Sequence, residues 1–411
     1  MTQPGPDPAA RDDRSGLPLA GMRVLDLATF LAAPFCGTLL ADFGAEVVKV
    51  EDPGEGDSLR TLGQRQDDES LWWLQEGRNK LAITCNLREP RGQELIREIA
   101  AECDIVLENF RPGTMEKWGL GYEALAAANP KLVMVRVSAF GQSGPYSEKP
   151  GFGRIAQAFS GITYLSGFPD RPPVVPGSAA VADYTAGLFA AFGALVAVRA
   201  AEETGTGQVV DVSLFESTFR FLDTLAIDFA QVGVVRERNG VSAPHAAPHS
   251  HYETADGGWI AIACTNDRMF ARLATAMGRP DLSEDPRFAT GPGRVAAREE
   301  LDEIVIAFCR SLPRDELFER LEHHQVPCGP IHSIADIFAD PQYAARETIV
   351  TVDDAETGPL TMPGVQPRLS ATPGRIRHAG PSVGRDNAAV YGRLLGLDEA
   401  ALAAYRADGV V

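Results

Sequence analysis

Residues 22–51, MRVLDLATFLAAPFCGTLLADFGAEVVKVE, hold a β-branched run, a helical stretch and a second β-branched run in immediate succession. MRVLDLA predicts a strand, PFCGTLLADFG a helix ending at Gly44, and EVVKVE a second strand. That alternation is the mark of parallel strands joined by helical crossovers. It continues outward. KLAITCNL (80–87) predicts a third strand, and PRGQELIREIAAEC a helix with Pro90 early and Leu95, Ile96 and Ile99 at helical spacing. DIVLENF (104–110) and LVMVRVSAF (132–140) predict two more strands around a short helix in YEALAAAN. The expected fold is α/β, a doubly wound parallel sheet, and such sheets take ligands at the carboxyl ends of their strands.

Beyond Gly151 small residues dominate. A long apolar helix is expected from near Asp183 to Gly205. Gly187 and Gly193 inside it each cost about 1 kcal/mol relative to alanine, which predicts close approach by another backbone or a ligand. QVVDVSLFESTFRFLDTLA (208–226) predicts a strand running into a helix, and YETADGGWIAIAC two short strands about an Asp-Gly-Gly turn. Helices are expected at 267–277, 296–311 and 314–324. The division that follows is a disordered tail (1–16), the first part of a large domain (17–228), a linker (229–245), a smaller α+β domain (246–330) and a closing segment (331–411). Pattern alone does not say where that last segment docks.

The 411 residues carry a formal net charge of −18, with 45% hydrophobic and 23% charged residues. A field of that sign repels phosphate backbones, so no nucleic-acid partner is expected. No run of about eighteen apolar residues suggests a bilayer span, and the opening residues have no apolar core for secretion, so a cytoplasmic protein with no membrane partner is expected. Cys36, Cys85, Cys103, Cys264, Cys309 and Cys328 lack any C-x-x-C pair, which predicts buried apolar thiols and neither disulfides nor zinc.

GFGRIA (151–156) matches G-x-G-x-x-A, but a turn-rich loop precedes it where a dinucleotide fingerprint needs a strand. Neither a phosphate loop nor a G-x-S-x-G elbow is present. His245, His249 and His251 have usable spacing but no acidic partner, so no metal site is expected. Asp183, at the head of a long helix with no basic neighbour in sequence, reads by itself as a cap. A helix start also favours a carboxylate and any oxyanion formed beside it, which makes Asp183 a candidate nucleophile. Arg78 and Lys80 of RNK, Arg111, Lys117 and Lys149 follow or flank strand ends and are candidates for holding a polyanion.

LAGMRVLDLATFLAAPFCGTLLADFGAEVVKVE, ENFRPGTMEKWGLGYEAL, SAFGQSGPY, GSAAVADYTAG and TGTGQVVDVSLFES occur in this order, and the chain from Leu17 onward resembles the class III CoA-transferase family, which includes formyl-CoA transferase and carnitine CoA-transferase. The resemblance implies a Rossmann-like large domain to which the C-terminal segment returns, a smaller domain, and an interlocked homodimer. It places the nucleophile on Asp183 and CoA contacts on Ala32, Asn109, Phe110, Arg111, Lys117 (an arginine in the family) and Lys149. Leu31 and Asp52 stand where formyl-CoA transferase has a glutamine and an arginine, and its glycine-rich loop is missing, which argues against oxalate and formyl-CoA. Leu31, Phe152 and Tyr184 are the candidate substrate pocket. A racemase branch of the family uses a histidine where Phe152 stands, and phenylalanine supplies no base.

The activity implied is transfer of CoA from an acyl-CoA to a small carboxylic acid through an aspartyl intermediate, with acyl-CoA as substrate and no tightly bound cofactor. Succinyl-CoA is the first donor to consider. A 2-methylacyl-CoA isomerase, an acyl-CoA hydrolase and a non-catalytic acyl-CoA-binding subunit are the alternatives.

Overall fold

In the computed structural model of this chain the described residues are 14–178 and 180–411. The alternation read from the sequence becomes β1 (Arg23–Asp26), α1 (Ala32–Asp42), β2 (Glu46–Glu51), α2 (Leu71–Glu76), β3 (Lys80–Thr84), α3 (Pro90–Ala101), β4 (Ile105–Glu108), α4 (Tyr122–Ala126) and β5 (Val133–Ser138). After a long loop come α5 (Gly153–Ser160), α6 (Val181–Thr204), β6 (Val209–Ser213) and α7 (Leu214–Phe219). These strands form one sheet in the order β3-β2-β1-β4-β5-β6, every neighbouring pair parallel. The chain leaves β1 in one direction and returns beside it as β4, so the strand order reverses between these two strands. A crevice outside their carboxyl ends is where a doubly wound sheet binds its ligand.

Alternate residues of each strand feed two cores. Val24, Val47, Ile105 and Val135 face α1 and α6, while Leu25, Val48, Val106 and Met134 face α3 and the C-terminal helices. The closing segment supplies the hairpin Ile349–Asp354/Gly358–Pro363, then α8 (Asn387–Leu395) and α9 (Glu399–Ala407). α8 is bonded to the edge strand β3: the Asn387 side chain accepts from the Thr84 amide and donates to its hydroxyl, and the Tyr391 hydroxyl donates to its carbonyl, each at 2.8 Å.

Two compact units result, one of residues 1–162, 176–224 and 345–411, the other of 163–175 and 225–344. The second has a three-stranded antiparallel sheet (His249–Glu253, Trp259–Ala263, Cys328–Pro330) against helices that include Asp267–Ala276, Arg298–Cys309 and Arg314–His323. These limits differ from the expected ones. Residues 163–175 and 331–344 fall with the small unit, and the expected linker begins inside a helix, Leu225–Val232. The helix expected through 226 breaks after Phe219, and an extra short helix, Gly291–Ala296, precedes Arg298. Residues 1–13, the bulk of the expected tail, lie outside the described residues, while Arg14 is ion-paired to Glu46 at 2.8 Å.

α6 corrects another expectation: by length and composition it would suffice to cross a bilayer. Its alanines explain the composition, because Ala182, Ala186, Ala190, Ala194 and Ala197 are buried against α1 and the sheet. Gly187 lets α1 approach so closely that a β-carbon there would sit 2.6 Å from the Ala32 carbonyl oxygen. The room that Gly187 makes is filled by α1, and substrate has no share in it.

Candidate active site

Over the carboxyl ends of β1 to β4 lies a cavity of about 450 Å³. One wall is apolar, formed by Leu27, Val50, Leu87, Phe110 and Trp118, the last two edge-to-face at 5.0 Å between centroids. The other wall is acidic, but most of its charge is already matched. Glu51 holds buried Arg60 through two bonds of 2.7 Å, Asp57 pairs with buried Lys49 at 3.0 Å, and Asp52 meets the exposed Arg88 at 3.2 Å. Asn109 ties the two sides of the crevice: its side chain accepts from the Thr29 amide at 2.8 Å and donates to the Thr29 carbonyl at 2.7 Å.

Asp183 is the third residue of α6, one turn before Gly187, and is 8% exposed. The cap position is Ala180, so the aspartate is not spent on capping. A β-carbon on Gly153 would lie 2.3 Å from Asp183 Oδ2, so the carboxylate rests against the main chain where α5 begins. The amides that open a helix lack intrahelical partners and carry partial positive charge. Among the described residues no cation pairs with Asp183. Burial therefore dominates and pushes its carboxyl up to about 6.

An aromatic wall adjoins it. Phe152, immediately before Gly153, is 72% exposed and stands 6.4 Å from the ring of Phe30, which in turn meets Trp72 edge-on at 6.3 Å. The Trp72 indole donates to the Tyr184 hydroxyl, which donates to buried Glu76, both at 3.1 Å. Burial, with Glu76 adding to it, raises the Tyr184 phenol well above its usual range. Tyr184 is thus a fixed strut beside Asp183 and unsuited to give up a proton.

The structure sorts the other sequence candidates. Phe110 lines the cavity, Asn109 shapes it through the β1–α1 loop, and Ala32 opens α1, its carbonyl against Gly187. Arg111, Lys117 and Lys149 are exposed, the last with its ammonium 3.5 Å above the Tyr146 ring, and none of the three lines the cavity. Arg78 and Lys80 are corrections. Arg78 grips Asp42 with two guanidinium nitrogens (closest contact 2.7 Å), and Lys80 is bonded to Asp26 at 3.0 Å and to the Pro34 carbonyl at 2.6 Å; both are buried. They hold α1 and β3 to the sheet and have no charge to offer a ligand. Leu31 is likewise corrected, being fully buried at the start of α1. Residues the sequence reading missed are Arg88, Trp72, Glu76, Phe30 and Asp57. Only the last had a local signal, in Glu51, Asp57 and Arg60 of EDPGEGDSLR. All six cysteines are unpaired, five of them buried.

The family model described as CoA-transferase family III matches residues 19–387. Succinyl-CoA–D-citramalate CoA-transferase of Chloroflexus aurantiacus is 46% identical over 96% of this chain and 98% of its own. The succinyl-CoA–L-malate CoA-transferase beta subunit of the same organism is 47% identical over 93% and 95%. Among solved structures, a CAIB/BAIF family protein from Brucella suis superposes with a TM-score of 0.82 at 36% identity, covering 92% of this chain and 99% of that one. With a match of this extent, the chain belongs to CoA-transferase family III and is a CoA-transferase acting on acyl-CoA and a carboxylic acid.

Proposed function

We propose that the chain transfers CoA from succinyl-CoA to a small hydroxylated dicarboxylic acid through covalent intermediates on Asp183. The observation that carries the reading is a buried carboxylate that no cation pairs with among the described residues, set against the main chain at Gly153 where α5 begins. Asp183 attacks the thioester carbonyl, the carbon–sulfur bond breaks, and CoA thiolate leaves a mixed anhydride. The thiolate attacks the aspartyl carbonyl and the donor acid departs as carboxylate. The acceptor carboxylate then attacks the aspartyl thioester, and returning thiolate takes its acyl group, restoring Asp183. Retention of the thiolate makes each return effectively unimolecular, and a desolvated carboxylate of raised basicity is the stronger nucleophile.

The apolar wall of Phe110, Trp118, Leu87 and Val50 suits a nucleobase, with Arg88, Arg111, Lys117 and Lys149 left for phosphates. The donor and acceptor classes come from the relatives named above. Phe152 beside Asp183 offers no base for proton abstraction, which favours transfer over isomerisation. An interlocked homodimer fits the exposed stripe of α6, Leu188, Phe192, Leu195 and Val196, an apolar face of the kind that subunit contacts cover. The unpaired cysteines suit a reducing cytoplasm.

The test is intact mass and peptide mapping after incubation with succinyl-CoA and hydroxylamine. A hydroxamate on Asp183 is expected; an unmodified Asp183 together with turnover would refute the covalent route. Thiol release without acceptor acid would instead mark a hydrolase.

A further inference from the structure

We propose that Asp57 is a positioning residue for CoA transfer, acting through the backbone of Phe30 to hold the loop that joins the cavity to Asp183. The inference rests on Asp183 being the nucleophile. Asp57 is 3% exposed. Its carboxylate accepts from the Phe30 amide at 3.0 and 3.2 Å and from the Leu59 amide at 2.9 Å, and pairs with the Lys49 ammonium at 3.0 Å. Lys49, also buried, donates to the Ala28 carbonyl. One ion pair therefore grips the β1–α1 loop at two points.

The grip is needed because Phe30 has φ +69°. An L-residue there costs about 1–2 kcal/mol, so the loop relaxes unless something external holds it. Successive residues of this loop serve different parts of the site. Thr29 lines the cavity and exchanges two bonds with Asn109, its amide donating and its carbonyl accepting; the Phe30 ring reaches Trp72 and Phe152; Leu31 is the cap residue of α1; and the Ala32 carbonyl meets Gly187, one turn from Asp183. A return of Phe30 to negative φ would shift all of them together. Thioester and nucleophile would then lose their mutual aim, while the cavity lining outside this loop, Val50, Leu87, Phe110 and Trp118 included, stays in place.

The test is a double-mutant cycle on steady-state transfer from succinyl-CoA, with melting followed in parallel. Asp57→Asn should lower kcat about 10–100-fold, the scale of an ångström-sized misplacement, with the KM for acyl-CoA changed less than about threefold. Glycine tolerates positive φ at no steric cost, so in a Phe30→Gly background the same substitution should lower kcat less than about threefold. Equal losses in the two backgrounds, or no loss in either, would overturn the proposal. If Asp57→Asn does not fold, Lys49→Met combined with Asp57→Asn, which leaves no lone buried charge, takes its place in both backgrounds under the same criteria. Asp183→Asn is assayed alongside: turnover surviving there removes the nucleophile assignment and leaves the Asp57–Phe30 coupling separately readable.

Discussion

Replacing Asp183 by asparagine should abolish transfer and, at neutral pH, make the protein more stable. The carboxyl is carried from 3.8 to about 6 by burial without a compensating cation. A group that binds its proton more tightly folded than unfolded contributes stability below the unfolded value and loses it as pH rises through the folded one. At about 1.4 kcal/mol per pH unit, the native state carries a penalty of about 3 kcal/mol above pH 6 and none below about pH 4. Asparagine keeps the shape without the charge. With an unfolding entropy of about 2.1 cal/mol/K per residue over a chain of this length, that is a rise in Tm of roughly 3 °C. The assay is scanning calorimetry of both proteins from pH 4 to 8. The difference should open between pH 4 and 6 and level off above. An Asp183→Asn protein no more stable than the parent at pH 8, or a gap that does not vary with pH, would refute the uncompensated burial on which the nucleophile argument depends.

Other consequences are as direct. Because only the carboxylate attacks, kcat should rise with pH through about 6 and then plateau, as a pH–rate profile under saturating substrates will show; a profile flat from pH 5 to 8 contradicts the raised carboxyl. Arg78→Ala breaks a buried pair and should cost about 3–5 kcal/mol in denaturant titration, with the KM for acyl-CoA unchanged in whatever fraction folds. Arg88→Ala should do the reverse, raising that KM severalfold with stability held within about 0.5 kcal/mol, since this side chain is exposed at the cavity mouth. Gly187→Val drives side-chain atoms into the Ala32 carbonyl and the Phe35 ring and should lose about 1–3 kcal/mol or more by overpacking, measured by the same titration.

The sheet was legible because its information is local. MRVLDLA, EVVKVE and LVMVRVSAF are β-branched runs buried on both faces, and the helix of 90–101 shows itself by the spacing of Leu95, Ile96 and Ile99, whereas α2 (Leu71–Glu76), between β2 and β3, was not read. The site was legible only in part. Asp183 by itself reads as a cap; its place at the start of a long helix made it a candidate nucleophile, and the family resemblance put that role on it. Arg78 and Lys80 were misjudged because their partners, Asp42 and Asp26, are 36 and 54 residues away, and nothing local shows that a cation is already matched. Leu31 differs: a candidate taken from a family position says nothing of which way the side chain turns, and here it turns inward. The hold of Asp57 on Phe30 was hidden because a positive φ at phenylalanine runs against local preference and exists only through contacts made at a distance. The domain limits differ at 163–175 and 331–344 because nothing local says which unit a short stretch joins: Ile334, Ile337 and Phe338 fall at helical spacing without revealing their partner.

The bonds from Asn387 and Tyr391 to Thr84 have a consequence in time. β3 flanks the sheet, and α8, which covers it, follows by 303 residues. At ribosomal speeds of about 5–20 residues per second, this strand waits roughly 15–60 s for its cover. Throughout that wait a half-built layer presents an unclosed border of amide and carbonyl groups to the cell, while the small unit is still being synthesised. The nascent chain thus has an interval of uncovered edge written into its topology, and a chain truncated before residue 387 would leave that edge open to pairing with another strand.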